Sequence, residues 1–281
     1  MSSSSLGAVT WRKFKRNKLS LAGLAVVTGL VAAAVLAPYI SPHNPNKMFW
    51  GKEYTPPCPE FPLGTDEMGR DVLSRVIWGA RTSLYVGFGA VSVIVLIGVT
   101  IGAVSGYFGG WLDELLMRFT DIMLTIPTML LLILIASIFQ VRSLNIIIMS
   151  IGLIGWPTIA RITRSQFLLI RELPYIDAAR VAGLGHLRII FKHILPNALP
   201  PIVVAATFDM ASAILMETGL SFLGLGDPRA VSWGQMLSGG YTLLRYAWWI
   251  ATFPGLAIFI SVLGFNLLGD GLREALDIAM R

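Results

Sequence analysis

Six long apolar runs set the limits on what this chain can fold into. They cover Leu19–Ile40, Thr82–Tyr107, Leu116–Phe139, Leu144–Ile162, Ala198–Leu223 and Trp248–Leu268. A helix rises about 1.5 Å per residue, so each run reaches across most or all of a hydrocarbon core about 30 Å thick. In lipid every backbone N–H and C=O needs a partner within the protein, and a helix supplies those partners inside one segment. The expectation is an all-α membrane protein with about six transmembrane helices. Charge content agrees. Only 14% of the 281 residues are Asp, Glu, Lys or Arg, where a soluble domain carries about a quarter. So few charges cannot solvate a surface of this size, and lipid takes the place of water.

The basic residues orient the spans. With the N-terminus in the cytoplasm, six crossings put fourteen of the 22 Lys and Arg inside and eight outside. Four of the eight lie in one long loop, where the positive-inside bias is weak. Both termini are therefore expected in the cytoplasm of a cell-membrane protein. The run Leu19–Leu36 follows a basic stretch, Trp11–Lys18, as a signal peptide would. It exceeds the usual signal core of about 7–15 residues, so it reads as a retained anchor. The resulting division is a cytoplasmic tail (1–18), a first span (19–40), an external loop (41–80) and a transmembrane core (81–281) whose cytoplasmic loop covers 163–196. The small polar stretch Met1–Ser5 is expected to be disordered. In the external loop, Pro42, Pro45, Pro56, Pro57, Pro59 and Pro62 favour irregular backbone. Thr65–Trp78 is expected to form a short interfacial helix capped by Thr65 or Asp66.

The net charge of +6 belongs to this membrane pattern, and no alternation of aromatic and basic residues suggests nucleic acid. Cys58 is the single cysteine, so no intrachain disulfide can form, and no Cys and His cluster has metal-ligand spacing. No glycine-rich phosphate loop is present, so any work against a gradient draws its energy from another chain. Gly98, Gly102 and Gly106 recur every fourth residue, a spacing that lets a neighbouring helix approach closely. Pro127, Pro157 and Pro254 fall inside spans and are expected to bend them. Asp121 is expected to pair with Arg118.

The segment between the fourth and fifth spans, Arg161–Asn197, carries the functional signal. Pro174 suits the first turn of a helix and Gly183 its left-handed end, leaving about two turns between them. Ala178, Ala179 and Ala182 leave that helix nearly bare. A second helix, about Leu187–Leu195, is expected to stop near Pro196. A helix so short is not stable alone in water, so something has to pack on it. For Asp177 the sequence leaves two readings open: a local interaction with the helix dipole, or a contact with that partner.

The order Asp177-Ala178-Ala179, three residues, Gly183, then His193-Ile-Leu195-Pro196 resembles the "EAA" loop of ABC importer permeases. Asp stands where Glu is commoner, and His193 stands where Ile is usual. Further stretches resemble the C-type permeases of peptide and nickel importers: Leu63–Arg75, Gly79–Leu84, Gly219–Gly226, Ser232–Leu237 and Asn266–Arg273. The closing Asp277–Arg281 departs from that pattern. The resemblance implies the type I importer permease fold. It also implies a second, related permease, two cytoplasmic ATPase subunits that bind ATP and Mg, and an external substrate-binding protein. This chain would hold no cofactor and catalyse no reaction itself. Asp177, Ala178, Ala179, Gly183, Leu195 and Pro196 would form the ATPase-coupling site, and peptides would be the leading cargo.

Two acids, Asp209 and Glu217, fall within the fifth span. An acid near the centre of a span costs up to about 2.5–3.5 kcal/mol on insertion scales, so neither is expected to face lipid. Each is a candidate for a polar pathway or gate, or for a buried structural hydrogen bond. They also support a competing function, an ion-coupled secondary transporter in which they titrate during transport. That alternative leaves the bare cytoplasmic helix unexplained. A passive channel finds no filter-like ring in the sequence.

Overall fold

The computed structural model describes residues 11–138 and 143–279. Met1–Ser5 and Phe139 therefore lie outside the described residues, as do the side chains of the closing stretch from Asp277. The helices are α1 (Lys18–Ile40), α2 (Val72–Phe108), α3 (Gly110–Thr125), α4 (Thr128–Ile138), α5 (Leu144–Gly155), α6 (Pro157–Arg171), α7 (Pro174–Val181), α8 (His186–Ile189), α9 (Leu195–Phe222), α10 (Trp233–Gly240) and α11 (Trp249–Ala279). No strand occurs among the described residues. Four helical stretches are long and apolar enough to cross a membrane, and the count reaches six if the bent pairs α3–α4 and α5–α6 are one span each. Large apolar side chains such as Val35, Leu96, Leu130, Ile138 and Phe259 are more than half exposed along these helices. That is the surface expected where lipid is the solvent.

The helix α2 is the centre of the bundle, packing chiefly on α6 and also on α5, α9 and α1. Its glycine stripe explains the closest of these contacts. A Cβ on Gly98 would lie 2.7 Å from Ile159 Cβ, and one on Gly106 would lie 2.7 Å from Phe167 Cβ. On Gly102 it would meet the Ala160 carbonyl. The three glycines thus let α6 lie directly on the α2 backbone, as the sequence suggests. The helix α1 lies on α11 through small residues too. A Cβ on Gly23 would meet Leu268 N at 2.6 Å. Asn17 begins α1 by accepting from Leu19 N at 2.8 Å and Ser20 N at 3.3 Å, which satisfies two donors at the helix start.

Several elements differ from expectation. The short interfacial helix over Thr65–Trp78 does not form. Asp66 Oδ1 instead accepts from the backbone N–H groups of Met68 and Arg70, both at 2.9 Å, and Thr65 bridges Asp71. An Asp that binds its own following backbone in this way favours a turn over a helix. The helix starts later, at Val72, where Asp71 accepts from Ser74 N at 3.0 Å, and runs unbroken to Phe108. The third run bends by 84° between α3 and α4, and the fourth by 44° between α5 and α6. Both breaks sit at the expected prolines, Pro127 and Pro157, and go well beyond a kink. The expected stop at Pro196 is absent too. Pro196 falls in the first turn of α9, where no N–H is needed, and the five-residue π turn Ile190–Ile194 joins α8 to α9. Asp121 pairs not with Arg118 but with Arg161, at 2.5 Å. Arg118 instead reaches Glu114 on its own helix.

Candidate functional site

The two-turn helix α7 is built as its sequence suggests. Pro174 opens it and Gly183 closes it with φ +78°. Leu184 N donates to Ala179 O at 3.2 Å and Gly183 N to Arg180 O at 2.9 Å. These two bonds make a Schellman end, in which the left-handed residue needs no Cβ. Nothing lies within 4 Å of a Cβ built on Gly183, so backbone conformation rather than crowding selects glycine there.

The helix has two distinct faces. Ile176 and Ala179 are buried against the rest of the chain, and Leu184 packs on the same core. Asp177, Ala178, Arg180, Val181 and Ala182 face away, with Val181 90% exposed. Ala179 therefore does not belong to the bare surface that the alanine pattern suggests; it allows the inner face to seat closely. Asp177 accepts from Arg180 Nη1 at 2.9 Å within the same helix. Beside this face, Leu187 and Phe191 are 71% and 63% exposed. The other half of the motif lies close by. Leu195 is partly buried and Pro196 exposed at the foot of α9. Asn197 Nδ2 donates to Tyr175 Oη at 3.3 Å and to His193 O at 2.7 Å. The two ends of the motif, more than a dozen residues apart, thus meet at one end of the bundle.

The surrounding contacts carry no local sequence signal. Arg171 Nη1 donates to Gly106 O at 2.9 Å and to Tyr107 O at 3.4 Å. Tyr107 Oη lies 2.8 Å from His186 Nδ1. Arg164 forms a two-pronged pair with Asp113, Nε to Oδ1 at 2.6 Å and Nη2 to Oδ2 at 2.5 Å. Ser105 Oγ also donates to Asp113. Apart from the Ser105–Asp113 bond, these contacts join residues about 50 to 80 positions apart, so only the fold brings them together. Together they tie the last turn of α2 and the start of α3 to the segment that flanks α7.

The two intramembrane acids have unlike surroundings. Glu217 is fully buried at the junction of α9 and α10. Its Oε1 accepts from Ser221 Oγ at 2.6 Å and from Ser232 Oγ at 2.8 Å. Ser232 is also the residue that caps α10. Asp209 is partly exposed; its Oδ2, like Glu217 Oε2, is buried with no hydrogen-bond partner among the described residues. No group of His, Cys, Asp and Glu suited to a metal ion occurs among the described residues.

Comparison with known structures defines the class. The fold matches the MetNI methionine ABC transporter in its inward-facing form with a TM-score of 0.57 at 22% identity. That match covers 72% of this chain and 96% of the other. A second match, to an amino acid ABC transporter solved with histidines, has a TM-score of 0.53 at 17% identity and covers 70% and 91% of the two chains. The helical bundle therefore shares the fold of these ABC transporter chains. Residues 98–281 match the family described as binding-protein-dependent transport system inner membrane component, and residues 5–57 match the N-terminal TM domain of oligopeptide transport permease C. The chain belongs to that family of importer permeases.

Its curated relatives extend the likeness over nearly the full length. The dipeptide transport system permease protein DppC of Alkalihalophilus pseudofirmus is 41% identical over 277 residues, covering 96% of this chain and 89% of the relative. The di/tripeptide transport system permease protein DppC of Pseudomonas aeruginosa is 40% identical, with 95% and 90% covered. The oligopeptide transport system permease protein OppC of Bacillus subtilis is 38% identical, with 96% and 88% covered. Family membership sets aside the ion-coupled carrier that Asp209 and Glu217 suggested.

Proposed function

We propose that this chain forms half of a peptide pathway through the cell membrane and that α7 is the coupling helix gripped by an ATPase subunit. The complete importer would hold a second, related permease, two cytoplasmic ATPase subunits that bind ATP and Mg, and an external binding protein. Both termini and α7 then lie in the cytoplasm, and the loop before α2 faces the binding protein. Peptides are the cargo named for the relatives, and their shared length and identity support the same class here.

One observation carries the reading of α7. The helix is fixed to its own chain by Ile176 and Ala179, while its other face carries small residues and the Asp177–Arg180 pair and packs on nothing else among the described residues. A rigid backbone that presents a flat face can enter a groove of another protein with little loss of side-chain entropy. Asp177 and Arg180 on that face supply direction. The site then comprises Asp177 and Ala178 as the contact surface, Ala179 as its inner seat, Gly183 as its end, and Leu195 and Pro196 as the foot of the helix that responds.

The two acids divide. Glu217 holds α10 on α9 and so shapes the wall of the pathway without entering it. Asp209 is the better candidate for the polar lining between the two permeases, because it is partly exposed, whereas Glu217 is fully buried and tied to Ser221 and Ser232.

Two substitutions test the coupling reading. Asp177→Ala removes the directional charge, and Gly183→Leu forces a branched residue into a left-handed backbone at a cost of about 1–2 kcal/mol. Both variants are expected to insert in the membrane and to lose ATP-driven peptide uptake in proteoliposomes. Uptake at the wild-type rate in both would remove α7 from the coupling site.

A further inference from the structure

The residues on either side of α7 both grip the same turn of α2. Arg171, the last residue of α6, donates to the carbonyls of Gly106 and Tyr107. It wraps the end of α2 closely enough that its Nη1 lies 3.1 Å from where a Cβ on Gly109 would be. A guanidinium placed there also complements the partial negative charge at a helix C-terminus. His186, which opens α8 after the coupling segment, reaches the buried Tyr107. The coupling segment is thus closed like a staple on residues 106 and 107. Between the staple and mid-membrane, the glycine stripe holds α2 and α6 backbone to backbone.

The far end of α2 is fixed as firmly. Trp233 Nε1 donates to Val76 O at 2.9 Å, and the Trp233 ring covers Gly79. Arg75 Nη1 donates to Pro45 O at 3.2 Å in the long loop. We propose that Arg171, Tyr107 and His186 are positioning residues that make α2 a push rod, carrying displacement of α7 to α10 and the loop at the opposite face. The proposal rests on the reading of α7 as the coupling helix. A helix of 37 residues is about 55 Å long, so one rigid element joins the two faces without relay through loops.

The test uses the assembled importer in proteoliposomes, with both permeases, the ATPase subunits and the binding protein. The cargo is a labelled dipeptide chosen from a panel as one the wild-type complex imports. Uptake and ATP hydrolysis are measured together for Arg171→Ala, Tyr107→Phe and Arg171→Lys. In Arg171→Ala and Tyr107→Phe the ATPase subunits still co-purify and hydrolysis continues, while uptake per ATP falls about tenfold, within the usual range of coupling energies. Arg171→Lys, which keeps the charge at the helix end, restores most of it. Unchanged uptake per ATP in Arg171→Ala and Tyr107→Phe would overturn the proposal. So would a parallel loss of uptake, hydrolysis and folded complex, which marks a helix cap and nothing more. Ala178→Trp separates this result from the parent reading. If that variant retains both ATPase binding and uptake, α7 is not the docking helix, whatever the staple does.

Discussion

The carboxylate of Glu217 meets two hydroxyls that come from different directions, Ser221 one turn along the same helix and Ser232 at the start of α10. The acid therefore joins two elements, and its worth lies in what its removal leaves behind. Glu217→Gln keeps an oxygen for both serines and is expected to assemble and transport within about twofold of wild type. Glu217→Leu strands two buried hydroxyls and is expected to destabilise the subunit by about 1–3 kcal/mol. Thermal unfolding of the detergent-solubilised complex measures the difference. Equal midpoints for wild type and Glu217→Leu would contradict this account. At the same scale, Gly183 is readable in the sequence because one backbone conformation demands that residue. Ser232 is not, because nothing in its neighbourhood names a partner fifteen residues back.

Among the elements, the contact between α2 and α6 is the one most open to a single change. Gly102 sits against the Ala160 carbonyl and Thr163 Cβ, so Gly102→Leu has to push two backbones apart. Overpacking of this kind costs about 1–3 kcal/mol. The expected outcome is a lower yield of folded complex and a lower unfolding temperature, measured by size-exclusion chromatography with heating. Gly29→Leu, at a site with nothing within 4 Å, serves as the control and is expected to stay near wild type. The four-residue glycine spacing is legible in the sequence because a helix period places those residues on one face. The division between Thr65 and Val72 is not. Asp66 and Asp71 are both good caps, and the choice between them depends on how the turn at Asp66 closes with Arg70 and Thr65. The depth of the breaks at Pro127 and Pro157 is likewise hidden, since a missing N–H permits a bend without setting its angle.

For the whole molecule, the sidedness read from Lys and Arg remains a proposal that labelling can check. In a Cys58→Ser background, Val181→Cys lies at the tip of α7 and Trp50→Cys lies in the long loop, and both parent side chains are more than 80% exposed. A membrane-impermeant maleimide is expected to label Trp50→Cys on intact cells stripped of any outer membrane, and Val181→Cys only in inverted vesicles. The opposite pattern would invert the orientation and place α7 beyond reach of ATP. The apolar runs make the crossing number legible. Which crossings pair is not, because the contact of α1 with α11 joins the two ends of the sequence through small residues that no local pattern links.

The unequal lengths of these crossings have a consequence for the surrounding lipid. At about 55 Å, α2 outruns a hydrocarbon core of about 30 Å at both ends, so longer or shorter acyl chains merely change which of its turns are wetted. The third crossing has no such reserve: its legs of 16 and 11 residues meet at 84° and cannot both follow the bilayer normal. A change in acyl-chain length therefore loads the corner at Pro127 first, leaving the central rod nearly untouched.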